Sequence, residues 1–385
     1  FERHRRPRVP MPRTPTSPVA DRAAARAWLA AEHANLLAVV AHTATHDWPT
    51  HTTRFGATLS RWFYNSDHYA DALTAYGHAL DAARGSADRA AEGVALVNLG
   101  WIHQMLGQYR DAIAVLQQAL RTSRQAGDRL TEGRSLGGLA TTNMALGRYP
   151  IALRHLSAAA NIHRQVGDRF AEGIVLNNIG DLYERMGRYD QAILCYRQGL
   201  AISREVGDHV SVGIVLGSLT SAYARAGRLP EARECHWQAF ALYREHDYQA
   251  GKAYLLSLSG LVHGADHPDT DEHHRRAVAI ADEIGAPRVQ THVFNNIGET
   301  LRTIGRYDEA LRHHRSALDI AGDIGERLGQ ARAHHGIAHI MHATGRLDEA
   351  RAHWKQALAH STELDLPMAG EVQARLDALD SHNPP

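Results

Sequence analysis

Lysine is nearly absent from this 385-residue chain: Lys252 and Lys355 are the only two, and arginine supplies the rest of the 42 basic side chains. Asp and Glu number 42 as well, so no net field exists to gather nucleic acid. Cysteine is as scarce. Cys195 and Cys235 are too few for a disulfide framework, and two reduced, partly buried thiols are expected. No apolar stretch reaches the roughly 18 residues of a membrane-spanning helix, and no secretory segment opens the chain, so the expectation is a cytoplasmic protein with no membrane partner. Also missing are a Gly-x-x-x-x-Gly-Lys-Ser/Thr phosphate loop, a DNA-reading helix-turn-helix, a His-Glu-x-x-His or Cys-x-x-Cys pair, and any nucleophile motif. These absences give no catalytic residue, no cofactor and no metal to expect, and the chain is read as a non-enzyme.

What the chain has instead is repetition. "NNIGDLYERMGRYDQAI" from Asn177 returns as "NNIGETLRTIGRYDEAL" from Asn295, 118 residues on. Gly107, Gly147, Gly187 and Gly227 recur every 40 residues, as do Ala112, Ala152, Ala192 and Ala232, and Asp88, Asp128, Asp168 and Asp208. A fixed period in this range marks a stacked array of helix pairs. Eight pairs fit between residues 49 and 366. Three periods make 120, so two residues are missing, and they fall in "HGADHPDTDE" (263–272), a turn by its Gly264 and Pro268. The expectation is a fifth pair that keeps both helices around a shortened, irregular turn, where the array bends most easily.

Within residues 171–208, apolar side chains recur at three and four spacing in two runs, Val175 to Tyr183 and Ala192 to Leu200, which is the pattern of two amphipathic helices. Gly187 and Gly207 stand where each helix must stop, and Asp208 is placed to cap the next one. These residues resemble the tetratricopeptide repeat, through the order Leu, Gly, then Gly-x-Tyr-x-x-Ala. The unit exceeds that family's usual length of about 34 residues. The Gly-Asp-Arg joints of "QAGDRLTEG" and "QVGDRFAEG" resemble its 40-residue subclass. The resemblance implies an all-α, right-handed superhelical solenoid of antiparallel helix pairs whose first helices line a concave groove.

The flanks read differently. Residues 1–19 are basic, proline-rich and aperiodic, a flexible segment; residues 20–48 form an N-terminal lead-in helix; residues 367–385 form a capping helix and tail. "ARAWLAAEHANLLAVV" (25–40) is similar to the helix that joins the nucleotide-binding switch to the repeats in actinobacterial SARP-type regulators, which carry a DNA-binding domain, an NB-ARC module and a C-terminal repeat sensor. The phosphate loop and DNA-reading helix of such regulators are not in this sequence.

Counting from the Gly100 and Gly180 column, the groove face should hold the residues three and two before it and one, four and five after it. This selects Asn98, Trp101, Gln104 and Met105, then Thr141 and Met144, Asn177, Asn178, Asp181, Glu184 and Arg185, Ser221 and Arg225, Asn295, Asn296, Glu299 and Arg302, and His335, His339 and His342. An amide can pair with both the N–H and C=O of an extended peptide, as Asn98, Asn178 and Asn296 do in the family the joints resemble; it can equally bond water or a neighbouring helix. Alternating charge disfavours nucleic acid and suits a mixed-charge peptide or protein segment. His335, His339 and His342 share a helix face but lack a further ligand motif. "EHHRR" (272–276) and "RHHRS" (312–316) read as solvated outer face. The functional expectation is a peptide- or protein-binding array, the sensing or interaction region of a bacterial transcriptional regulator, with other domains of that regulator as further partners. The alternatives are a free-standing adaptor and an enzyme with a groove active site.

Overall fold

The computed structural model describes residues 22–382 except 47, 66, 67, 247, 365 and 367. The segment read as flexible, residues 1–19, lies outside them. The described residues form twenty helices and no strand. Two short helices lead in, α1 (Arg22–Ala31) and α2 (His33–Thr45). The pairs are α3 (Pro49–Asn65) with α4 (Tyr69–Gly85), α5 (Arg89–Met105) with α6 (Tyr109–Ala126), α7 (Arg129–Ala145) with α8 (Tyr149–Gln165), and α9 (Arg169–Arg185) with α10 (Tyr189–Glu205). Then come α11 (His209–Arg225) with α12 (Leu229–His246); α13 (Gln249–Ser257) and α14 (Ser259–His263) with α15 (Thr270–Ile284); α16 (Pro287–Thr303) with α17 (Tyr307–Asp323); and α18 (Arg327–Ala343) with α19 (Leu347–Glu363). A last helix, α20 (Met368–His382), ends the chain of elements.

The 40-residue period is a 20-residue step taken twice. Gly107, Gly127, Gly147, Gly167, Gly187, Gly207 and Gly227 all have φ near +70°, a left-handed conformation that costs a side-chain-bearing residue about 1 kcal/mol. Each therefore ends a helix of about 17 residues at a fixed interval, and Gly305, Gly325 and Gly345 resume the count. The carboxylates of Asp88, Asp128 and Asp208 then accept from the third backbone N–H of the next helix at 2.9, 3.0 and 3.1 Å. The Arg of the Gly-Asp-Arg joint serves a buried carboxylate three residues on. Glu92 is held by Arg84 (3.1 Å) and Arg89 (2.7 Å), Glu132 by Arg124 (2.9 Å) and Arg129, and Glu172 by Arg169 (2.5 Å).

Packing follows two columns. Ala72, Ala112, Ala152, Ala192, Ala232, Ala310 and Ala350 are fully buried where helices approach most closely. Opposite the small residues stands one large side chain per second helix: Tyr76, Leu116, Leu156, Tyr196, His236, His274, His314 and Trp354, all buried. A methyl group on Gly100 would come within 2.5 Å of Leu116, one on Gly180 within 2.5 Å of Tyr196, and one on Gly298 within 2.8 Å of His314. His274 and His314 correct the reading of the two His-His stretches as outer face: one histidine of each pair is the core knob.

The molecule divides into two compact units. Unit 1 comprises the described residues up to Asn143 with Arg154–Asp168, and unit 2 comprises Met144–Leu153 with the described residues from Arg169 onward. Three further expectations are corrected. The lead-in is two helices, broken at Glu32, whose backbone leaves the helical region (φ −89°, ψ 2°). Counted from α3, the irregular pair is the sixth, not the fifth. Its first helix is broken at Leu258, and its turn is longer than the others (264–269), so the missing residues came out of the helices. Within unit 2, Leu364 packs against the turn at Gly147, so that the unit's last pair returns to its first residues.

Candidate functional site

Unit 2 holds a half-open cavity of about 350 Å³. Its wall comes from the first helices of five successive pairs: Asp181, Glu184 and Arg185 on α9, Ser218, Ser221 and Arg225 on α11, Tyr254 on α13, His292 and Asn296 on α16, and Leu328 and Arg332 on α18. Leu366 and Met368 close one side. Glu184 is the most heavily bonded: it accepts from the Tyr196 hydroxyl (2.9 Å) and from Ser221 Oγ (2.6 Å), with Arg225 Nε 3.8 Å away. Burial raises its carboxyl above the usual range, against the pull of Arg225. Arg185 Nε donates to Asp181 Oδ2 at 3.0 Å.

The positive side of this cavity is less well matched. Arg332 donates to Asn296 Oδ1 (2.9 Å) and has no carboxylate partner among the described residues. Burial and the neighbouring Arg225 lower its guanidinium to about 10, a sign of uncompensated charge. Burial first, and then the charges of Arg332, Arg185, Arg288 and Arg225, hold His292 neutral down to about 3. Glu326 carries a buried Oε2 with no hydrogen-bond partner among the described residues.

Residues 59–125, 131–205 and 289–363 match one tetratricopeptide-repeat family, which covers more than half of the chain, and residues 215–246 match a second tetratricopeptide-repeat family. The chain belongs to the tetratricopeptide-repeat family. No curated protein matches it. Among solved structures it is similar to the apo form of RapI, at 15% identity and TM-score 0.62 over 71% of this chain and 98% of that one. It is also similar to a Rap protein complexed with Competence and Sporulation Factor, at 16% identity and TM-score 0.60 over 71% and 76% of the two chains. A third is the Rap conjugation gene regulator of the plasmid pLS20 in complex with the Phr* peptide, at 13% identity and TM-score 0.60 over 86% and 95%. At such identities the likeness is one of fold.

On this tetratricopeptide scaffold the groove residues expected from sequence separate. Asp181, Glu184, Arg185, Ser221, Arg225 and Asn296 meet around the cavity. Asn178 is half-buried, one period before the cavity residue Ser218. Asn295 is a correction: it is buried in the helix seam, where it donates to Gly329 O (3.2 Å) and bonds His314 Nδ1 through Oδ1 (3.2 Å). Asn177 occupies the same column, with a buried Oδ1 lacking a partner among the described residues. Adjacent residues point about 100° apart on a helix, and of Asn295 and Asn296 only the second lines the cavity. In unit 1, Gln104 is engaged by Gly138 O (2.8 Å) and Thr142 (2.6 Å), Trp101 is half-buried, and Asn98 lines a separate pocket of about 170 Å³. Glu299 and Arg302 pair at 2.6 and 3.0 Å; despite burial, this pairing brings Glu299 down to about 2. His339 stands 3.2 Å from His335, and His342 lies further along, exposed, 5.4 Å from the Trp354 ring.

Tyr254, His292 and Arg332 were missed, yet they form one repeat column, six residues before the packing column and continuing Ile174 and Ile214. Residues three and four apart share a helix face, so extending the groove face by one turn finds all three.

Proposed function

We propose that this tetratricopeptide array binds a peptide or a protein segment in the unit 2 cavity and serves as the sensing or interaction region of a cytoplasmic bacterial transcriptional regulator of the SARP type, without enzymatic activity of its own. The observation that carries the binding reading is Arg332, a guanidinium at the cavity wall with no carboxylate partner among the described residues, beside the amide of Asn296. Guanidinium and amide together suit a carboxylate on an extended chain, the first by paired N–H donors and the second by bonding backbone. The volume lies near the lower end of the roughly 300–1,000 Å³ of ligand pockets, room for a few residues and not for a domain. That one neighbour of the same fold is a complex with the Phr* peptide supports the reading. The lead-in segment, with its Trp-Leu and Ala-Ala-Glu strings, supports the regulator context. A random-peptide display library selected on the full chain tests the binding claim. Selected peptides should carry an acidic side chain or a free C-terminus and lose at least about tenfold in affinity on Arg332→Ala, which is 1.4 kcal/mol. Equal binding to both proteins sinks it.

A further inference from the structure

Two clusters outside the cavity bring three metal-ligating side chains within bonding reach of one another: His33, His68 and Asp71, and His335, His339 and Glu371. The first is disqualified by its hydrogen bonds. The Trp62 indole donates to His33 Nδ1 at 2.9 Å, so the neutral ring carries its proton on Nε2, the atom that faces Asp71 at 2.9 Å. That nitrogen has no lone pair to offer.

The second cluster has no such obstacle. His335 and His339 are one turn apart on α18, and their Nε2 atoms lie 3.2 Å from each other. Glu371 Oε1, from the first turn of α20, is 3.7 Å from the one and 3.6 Å from the other. A tetrahedral zinc ion with ligands at 2.0–2.1 Å holds them about 3.3–3.4 Å apart, so the three atoms need shifts of only a few tenths of an ångström to share an ion. Both imidazoles are mostly buried, while the Glu371 side chain is half exposed and leaves a fourth position open to water. Arg302 on α16, whose charge also bears on the two imidazoles, is already neutralised by its two bonds to Glu299. Arg375, one turn beyond Glu371, is exposed and free to swing outward.

We propose that His335, His339 and Glu371 bind a zinc-class divalent ion that staples α20 to α18. Two ligands come from the last first-helix of the array and one from the helix that caps it, so the ion joins α18 to a helix that packs chiefly on α19. Because Leu366 and Met368 border the unit 2 cavity, the staple also fixes the cavity's C-terminal wall. The proposal does not depend on what the cavity binds.

Zinc chloride titrated into the full chain, against a chromophoric chelator that masks weak surface histidine sites, tests it. One tight equivalent is expected. His339→Ala and Glu371→Gln should each weaken it by about 100-fold or more, beyond the roughly 10- to 100-fold that outer partners contribute to metal sites, whereas His342→Ala should leave it intact. Glu371→Gln changes a half-exposed side chain and preserves the fold, so its result stands even if a histidine variant misfolds. Hydrogen exchange in α20 should slow with zinc in the parent chain only. No tight equivalent, or one of unchanged affinity in His339→Ala and Glu371→Gln, overturns the site; zinc bound without slower exchange in α20 overturns the staple.

Discussion

Units 1 and 2 are built from the same repeat and differ in what fills two of its columns. The core knobs of unit 1 are Tyr76, Leu116 and Leu156; those of unit 2 include His236, His274 and His314. On the groove face, unit 1 spends Gln104 and Thr141 on bonds between its own helices, while unit 2 arrays Asp181, Glu184, Arg185, Arg225 and Arg332 around a cavity. The scaffold columns, glycine and alanine, hardly vary. The residues that set the architecture and those that line the cavity therefore occupy separate positions of the repeat, and one set can change without the other.

The largest expected consequence concerns acid. Burial holds His236 and His274 neutral down to about 4 and His314 down to about 3. An unfolded histidine takes its proton near 6.5, so between about 6.5 and 4 the unfolded state binds more protons and stability falls as pH falls. Three such groups cost unit 2 on the order of 4 kcal/mol at pH 5.5. The buried imidazole of unit 1, His163, stands outside the knob column and lies 3.8 Å from the carboxylate of Asp168. Hydrogen exchange at pH 7.5 and 5.5 should show unit 2 loosening ahead of unit 1; uniform loosening would erase the contrast. His274→Leu sharpens it. Neither ring nitrogen has a partner among the described residues, so leucine should stabilise by about 1–3 kcal/mol and flatten part of the pH dependence.

Next in size is the shared column. Gly100→Val and Gly180→Val should each destabilise by about 3 kcal/mol in urea melts, because the side chains they meet are fully enclosed. Tolerance of one and not the other would mean that the two units do not pack alike. The smallest effect is Gly77→Ala. Gly77 is inside α4 with nothing within 4 Å of an added methyl, and alanine should raise stability by about 0.5–1 kcal/mol. A loss there would reveal a packing role for a glycine that has none in this structure.

Much of the fold was legible in the sequence because its determinants are local. Gly187 and Gly207 end helices by their own φ, Asp208 caps within three residues, and Ala192 is small wherever the pair is placed. The site was legible only in part. That Asp181, Glu184, Arg185 and Arg225 lie together follows from repeat register, but the inclusion of Arg332, Leu366 and Met368 depends on how unit 2 wraps, which the period alone does not determine. The histidines misled for a physical reason: a neutral imidazole has the volume and flatness of a core residue, so His274 and His314 could replace leucine in a column that reads as polar. Glu371 could not be paired with His335 and His339 by any spacing rule, since it lies on a helix outside the repeat.

The contact between Leu364 and the turn at Gly147 makes copy number a fitted dimension. Open arrays gain or lose a repeat by duplication with little consequence beyond length. In unit 2, one more helix pair inserted between Arg169 and Glu363 would carry Leu364 past its seat and separate Met368 from the wall that Arg185 shares. A lineage of this protein is then free to rewrite its groove residues but not to recount its pairs, as a band worn around a finger can be re-engraved more readily than resized.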